Sequence, residues 1–254
     1  MQVDRVAVIT GGSSGIGAAI ARTLARRDWR LVLLARNEER LRRVAKEVGG
    51  EHHVCDVGDR AGVDQVAEEI RERHPAIGLL VNNAGIPGRG GGFLGMEPER
   101  IEELIRVNYL GSIRCLRAFL PALEAAAPAD VVNVASVAGV IAVGDSGPYS
   151  ASKHAQLAFS RSVGIELAPR GITVHSVMPG LIHTPGFPNR RRFRNDFVQR
   201  VVVEPELVAE RVARAVERGR VEQFVPRWYR SAAIVQALAP ALLARAARGL
   251  KTSR

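Results

Sequence analysis

The sequence predicts an α/β fold, a doubly wound parallel sheet of about seven strands in a three-layer α/β/α sandwich. Three observations point to it. Short continuous apolar runs alternate with stretches of helical periodicity along most of the 254 residues, as expected for strands buried on both faces and joined by right-handed helical crossovers. A glycine-rich segment, Thr10 to Gly17, separates the first such run from the first helix. Further on, Tyr149 and Lys153 pair a phenol with an amine at the i,i+4 spacing that puts both on one helical face.

Taken in order, Arg5 to Ile9 is a buried-strand run and Arg30 to Ala35 a second, with a helix from Gly15 to Arg27 between them. The alternation continues with a helix near 38–48, a strand near 51–55, a helix near 60–73 and a strand over 77–81. A glycine-rich loop at 85–95 leads into one long helix near 98–126 and a strand at 130–135. A helix near 148–168, a strand at 172–177, a helix near 205–219 and a strand at 222–225 complete the pattern. Residues 181–203 carry Arg, Phe and Pro without strand periodicity and read as a substrate loop. The tail from Trp228 is amphipathic or apolar, broken at Pro240, and is expected to pack on its own domain or on a partner subunit. No linker or repeat divides the chain, so one domain over 1–254 is expected.

Composition narrows the function classes. No apolar run reaches the ~20 residues of a membrane span, and the N-terminus runs into a strand without the apolar stretch of a signal peptide. Cys55 and Cys115 lie far apart and suit a reducing compartment, so the expectation is a soluble cytoplasmic protein. The net charge of +10 gathers in the last quarter, with Arg190 to Arg194 as its densest cluster. That cluster is either a solvated face or a contact for an anionic substrate, an acidic carrier or a membrane surface. Nothing resembles a nucleic-acid recognition module, and no His or acid cluster suggests a metal.

The segment Thr10-Gly11-Gly12-Ser13-Ser14-Gly15-Ile16-Gly17 sits where a Rossmann-type turn brings backbone amides and a helix N-terminus to a pyrophosphate. Its spacing, T-G-x-x-x-G-x-G, departs from the usual G-x-G-x-x-G. At the end of the second strand, where an acid some 20 residues on would hold a ribose 2′-hydroxyl, stand Ala35 and Arg36. An arginine suits a 2′-phosphate, which favours NADP(H) over NAD(H), although Glu38 or Glu39 leaves NAD(H) open.

At the other end, Lys153 is one of three lysines in a chain of 33 arginines. The choice suggests a need for a compact ammonium rather than a planar fork. A cation about 4 Å from Tyr149, at an effective dielectric near 20, would lower the phenol by about three pKa units. Ser136 ends the strand before Tyr149, at the carboxyl edge where open α/β sheets bind ligands. Its hydroxyl suits an oxygen that gains charge. Asn108 falls inside the long helix, an awkward place that implies a side-chain role.

Together these residues resemble the short-chain dehydrogenase/reductase family, in its compact branch. Thr10–Gly17, Asp56, Asn82 to Gly85, Asn108, Ser136, Tyr149, Lys153, Pro179, Gly180 and Thr184 match in family order over about residues 5–185. The resemblance implies that Ser136 polarises a carbonyl and Tyr149 transfers the proton. It implies that Lys153 binds the nicotinamide ribose and lowers Tyr149, while Asn108 holds a water relay. It places the cofactor against Gly11, Ser13, Ser14, Gly15, Ile16 and Gly17, against Arg36, Asp56 and Val57, and against Asn83, Ala84 and Gly85. Tyr149, Lys153, Pro179, Gly180, Ile182 and Thr184 complete the set. Assembly as a homo-oligomer, a dimer or tetramer, is also implied.

The leading expectation is therefore NADP(H)-dependent hydride exchange with a ketone or secondary alcohol. Leu181, Phe187, Phe193 and Phe197 suggest a lipophilic substrate such as a steroid, an oxo-lipid or an aromatic ketone. The alternatives are reduction of a 3-oxoacyl thioester, with Arg190 to Arg194 meeting an acidic carrier, and an NADP-binding sensor or scaffold without catalysis. His183 and His154 are expected to stay out of the chemistry.

Overall fold

The computed structural model describes residues 5–88, 92–142, 144–183 and 202–241. Seven strands form one sheet: Val6–Thr10 (β1), Arg30–Ala35 (β2), Glu51–Val54 (β3), Leu79–Asn82 (β4), Ala129–Val134 (β5), Ile172–Pro179 (β6) and Glu222–Val225 (β7). All are parallel, in the order β3-β2-β1-β4-β5-β6-β7. The chain starts in the middle, builds outward to β3, then crosses back to lay β4 on the other flank of β1. Ala7 pairs with both Leu31 and Leu79 across this reversal. The reversal opens a crevice at the carboxyl ends of β1 and β4, the place where such sheets bind ligands.

Alternate strand residues feed two cores, because successive side chains point to opposite faces. Val6, Val8, Val32, Leu80, Val131 and Val174 face one side. There they meet the helices Arg60–Arg73 (α3), Pro98–Ile105 (α4), Gly111–Ala125 (α5) and Gly147–Leu167 (α6). Ala7, Ile9, Leu31, Leu33, Val81 and Val132 face the other, under Gly15–Ala25 (α1), Glu38–Val48 (α2) and Pro205–Glu217 (α7). Each fully buried Val, Leu or Ile contributes roughly 1.5–3 kcal/mol. Arg27, paired with Glu210 and Glu217, ties α1 to α7 at the surface. Asn37 and Asp59 accept from Arg40 N and Ala61 N and so begin α2 and α3.

Two expectations are corrected. Ile77 does not start a strand: its N–H goes to Ala122 O of α5, and β4 begins at Leu79. The single long helix over 98–126 is interrupted by a π-helical turn, Arg106–Leu110, between α4 and α5. Buried positions 104, 108, 112 and 116 recur every four residues. A 3.6-residue helix cannot hold that spacing, and the wider turn absorbs the excess. Gly111 lets the helix resume against Val57, which lies 2.8 Å from where a Cβ would stand.

The tail forms a helix, Tyr229–Leu238 (α8), whose first residue packs with Met178 and Leu157. Ile234, Val235 and Leu238 on it stay exposed, so among the described residues it is only partly seated. No described helix is long and apolar enough to cross a membrane.

Candidate active site

At the end of β1 the chain turns through Gly11, whose φ of +69° favours glycine, and enters α1 at Gly15. Thr10 Oγ1 staples this turn to the next strand. It accepts from Asn83 N and Ala84 N, both at 3.0 Å, and donates to Val81 O at 3.3 Å. Asn83 Nδ2 reaches back to Thr10 O at 2.9 Å. Helix α1 has no side-chain cap on its first amides and no acid in its first turn. Its open N–H groups and positive end suit a phosphate. The turn fronts a cavity of about 450 Å³ that runs across the sheet reversal.

At one end of that cavity lie Arg36, Asn37, Asp56 and Val57. Asp56 Oδ1 accepts from Gly58 N at 2.8 Å, and the residue lines the cavity. Arg36 stands 4.0 Å from Asp56 Oδ2 with its side chain 58% exposed, so its guanidinium is open to a ligand. At the other end lie Ser136, Tyr149 and Lys153, with Asn83 to Gly85 and Pro179, Gly180 and Ile182 on the walls. The cavity thus gathers Gly11, Ser13, Ser14, Gly15 and Ile16 with every other described residue expected at the cofactor, except Gly17. Gly17 lies behind the turn, where a Cβ would come within 2.2 Å of Gly11 O. Asn108 is behind the wall and wholly buried. Thr184, Phe187, Phe193, Phe197 and the cluster Arg190 to Arg194 lie outside the described residues.

The reacting groups are held by backbone. Ser136 Oγ accepts from Ala138 N at 3.1 Å in the tight turn after β5. Its hydroxyl is thereby left to donate to Tyr149, and that bond pulls the phenol's pKa down. The π turn aims Asn108 inward. Its Oδ1 accepts from Ile86 N at 2.7 Å, and its Nδ2 donates to Ile86 O at 3.1 Å and Ser152 Oγ at 3.0 Å. Ser152 Oγ donates in turn to Tyr149 O at 2.7 Å. Asn108 therefore braces both the cavity wall and the helical turn that carries the tyrosine.

The electrostatics at this end differ from those the Tyr149–Lys153 spacing suggests. Burial pushes the Tyr149 phenol up, and the hydrogen bond with Ser136 opposes it. Lys153 Nζ is turned to Val134 O at 3.0 Å and Gln156 Oε1 at 2.9 Å. Burial pushes its ammonium down from 10.5 to about 7. A charged lysine facing the phenol at a dielectric of about 20 would lower it, but Nζ is turned to Val134 O and Gln156 Oε1 instead. Removing both groups from water disfavours each charged form.

Sequence reasoning missed Gln156, Ser152 and Ser112. The signal was present: Tyr149, Ser152, Lys153, Gln156 and Ser160 follow 3- and 4-residue steps, a polar stripe on a helix whose stripe faces the core. His154 turns away, with Nδ1 on Ser150 O, and His183 Nδ1 lies 3.3 Å from Glu204, so neither joins the reacting groups. Cys55 and Cys115 are buried free thiols, and burial pushes Cys55 up to about 11. Among the described residues no cluster of His, Cys, Asp and Glu could hold a metal.

Comparison with known proteins adds the family and three similar proteins. The short chain dehydrogenase family matches residues 5–195. The 3-oxoacyl-acyl-carrier-protein reductase of Bos taurus is 38% identical over 184 residues, 72% of this chain and 77% of that protein. Among solved structures, a single-substitution form of actinorhodin polyketide ketoreductase with NADPH has a TM-score of 0.82 at 32% identity, covering 90% of this chain and 98% of its own. An alcohol dehydrogenase from the archaeon Thermococcus sibiricus, complexed with 5-hydroxy-NADP, has a TM-score of 0.76 at 31% identity, over 87% of this chain and 95% of its own.

Proposed function

The chain belongs to the short-chain dehydrogenase family, and from that premise we propose that it is an NADP(H)-dependent oxidoreductase exchanging hydride with a ketone or secondary alcohol. The observation that carries the reading is the convergence of Ser136, Tyr149 and Lys153 in the cavity that the glycine turn fronts. The residues present fit the cofactor. A Cβ at Gly11 would come within 2.9 Å of the Ala84 backbone, so only glycine leaves this floor flat for a phosphate. Arg36 offers an exposed cation where a 2′-phosphate would lie, and Asp56 lines the cavity beside it.

When bound, NADPH supplies the hydride. Ser136 would give its hydroxyl hydrogen to the substrate oxygen, the same donation it makes to Tyr149. Tyr149 donates the proton that the developing alkoxide needs. The upward push from burial keeps its phenol protonated at neutral pH, as an acid for the reductive direction. Lys153, with its Nζ beside Gly85 on the cavity wall, would hold the ribose side of the cofactor. Asn108 keeps Gly85–Ile86 and the Tyr149 turn in place, and the second lone pair of its Oδ1 is the acceptor a proton relay would use.

Two substrate classes follow. A lipophilic free ketone rests on Leu181, Phe187, Phe193 and Phe197. A 3-oxoacyl thioester is supported by kinship with the bovine 3-oxoacyl-acyl-carrier-protein reductase and the polyketide ketoreductase, and by the Arg190–Arg194 charge. The test is NADPH oxidation against free ketones and 3-oxoacyl thioesters, with Tyr149→Phe alongside. We expect turnover in the wild type, its loss in the variant, and NADPH binding retained in both. Turnover that survives Tyr149→Phe overturns the mechanism. A one-domain chain assembled as a dimer or tetramer belongs to the same proposal, and light scattering decides the assembly.

A further inference from the structure

Gln156 lies one turn beyond Lys153 on α6 and is 0% exposed. Its Nε2 donates to Ser112 Oγ of α5 at 2.7 Å, and its backbone carbonyl accepts from Ser160 Oγ at 2.8 Å. An ammonium can only donate, so Oε1 faces Lys153, 2.9 Å from Nζ, and the Ser112 hydroxyl accepts from Nε2. An ammonium has three donors. The second goes to Val134 O at 3.0 Å. The third is left beside Gly85, where a Cβ would stand 3.6 Å from Nζ, on the cavity wall.

We propose that Gln156 is a positioning residue for Lys153: its amide oxygen keeps the buried amine charged and aims the remaining N–H into the cofactor cavity. The inference rests on the role given to Lys153 above. Burial drives this lysine toward the neutral amine, and a hydrogen bond accepted from the charged form opposes that drive. A neutral amide does so without cancelling the positive charge, which stays available to a ligand hydroxyl. A carboxylate at the same place would bind the ammonium to itself.

Other charges are placed elsewhere. Tyr149 and His154 are the titratable neighbours on the same helix, and His154 Nδ1 is turned to Ser150 O. On the elements packed around α6, Arg106 is turned to Gly58 O, Arg100 pairs with Glu103, and Tyr109 lies against Phe159. His175 is held by Asp130 and Arg220 O, and Arg170 pairs with Glu124. Burial is what pushes Lys153 down, and the Gln156 amide is the side-chain acceptor that meets it.

The three-lysine composition makes a direct test practical. Protein grown on lysine labelled with carbon-13 at the ε position gives three side-chain signals, assigned with Lys46→Arg and Lys251→Arg. We expect the Lys153 signal to titrate near pH 7 in the wild type. Gln156→Met should move its midpoint down by roughly one pH unit or more, since a bond to a charged group is lost. Gln156→Glu should move it up. The basic limb of kcat/KM for NADPH-driven reduction should follow the same order. If Gln156→Met does not fold, the double change with Ser112→Ala, or Gln156→Glu alone, supplies the comparison. A midpoint that stays put in the folded variants overturns the proposal, because a merely structural glutamine would change stability and not the titration. Absent turnover with every carbonyl removes the proposed function while the lysine midpoints still judge Gln156. Normal turnover with unmoved midpoints does the reverse.

Discussion

Replacing Gly17 by alanine tests whether the glycine turn is a cofactor floor held by packing. The added Cβ would stand 2.2 Å from Gly11 O, 2.6 Å from Asn83 Nδ2 and 2.8 Å from Gly11 C. An ordinary carbon–oxygen contact is about 3.3 Å or more, so the turn and α1 must separate by roughly 1 Å. Two of the three obstacles are backbone, and no rotamer change relieves them. Overpacking of this kind costs about 1–3 kcal/mol. Weakening the Asn83 bonds to Thr10 and Gly11 adds about 1 kcal/mol, and better helix propensity returns about 1 kcal/mol. The expected net loss is about 1–3 kcal/mol, a fall in Tm of roughly 2–12 °C for a domain of this size. NADPH affinity should fall with it, because the displaced amides are the proposed phosphate donors. Gly164→Ala is the control. Its Cβ would meet only Val174 Cβ at 3.4 Å, so Tm should hold or rise. Thermal melts and fluorescence titration with NADPH read both quantities. A Gly17→Ala protein with wild-type Tm and wild-type NADPH affinity would refute the packing argument.

Three further outcomes are expected. Arg36→Ala should weaken NADPH by roughly 10- to 100-fold, the worth of a charge-assisted contact, and leave NADH nearly unchanged; equal losses with both would remove Arg36 from the 2′-phosphate. Ser136→Ala should lower kcat by about 10²–10³ with NADPH binding intact, and a kcat close to wild type would show that the hydroxyl does not meet the reacting oxygen. Lys153→Met should stabilise the fold at neutral pH. The folded lysine titrates near 7 instead of 10.5, so between those values the unfolded chain binds more protons and stability rises with pH. Below pH 7 the full penalty remains, on the order of 5 kcal/mol, partly offset by the bonds to Gln156 and Val134. The Tm advantage of Lys153→Met should shrink as pH climbs from 7 toward 10, and a pH-independent difference would contradict the burial account.

Much of the architecture was legible because it follows from local rules. Val6 to Ile9 and Leu31 to Leu34 are apolar at every position, as a strand covered on both faces must be. The caps at Asn37 and Asp59 lie directly before helical periodicity. The π turn at Arg106–Leu110 was not legible. Its extra residue shows only as a buried spacing of four, and it depends on Asn108 finding Ile86 and Ser152, partners 22 and 44 positions away. Ile77 was misread for a similar reason, since its apolar side chain fits a strand while its N–H is claimed by α5. Gln156 went unread because a glutamine on a helix is ordinarily a solvated residue. Only the packing of α5 over α6 turns it inward.

By itself the sequence determined the family, the glycine turn and the helical spacing that puts Tyr149, Lys153 and, one turn on, Gln156 on a single face. Those depend on backbone periodicity, which a few neighbouring residues set. The tertiary structure alone decided the electrostatics of that face. Whether Tyr149 is pulled down by a cation or pushed up by burial depends on how much water and how many dipoles surround it. The Val134 carbonyl, the Ser136 hydroxyl and the Gln156 amide reach that point only once the sheet has closed against α6.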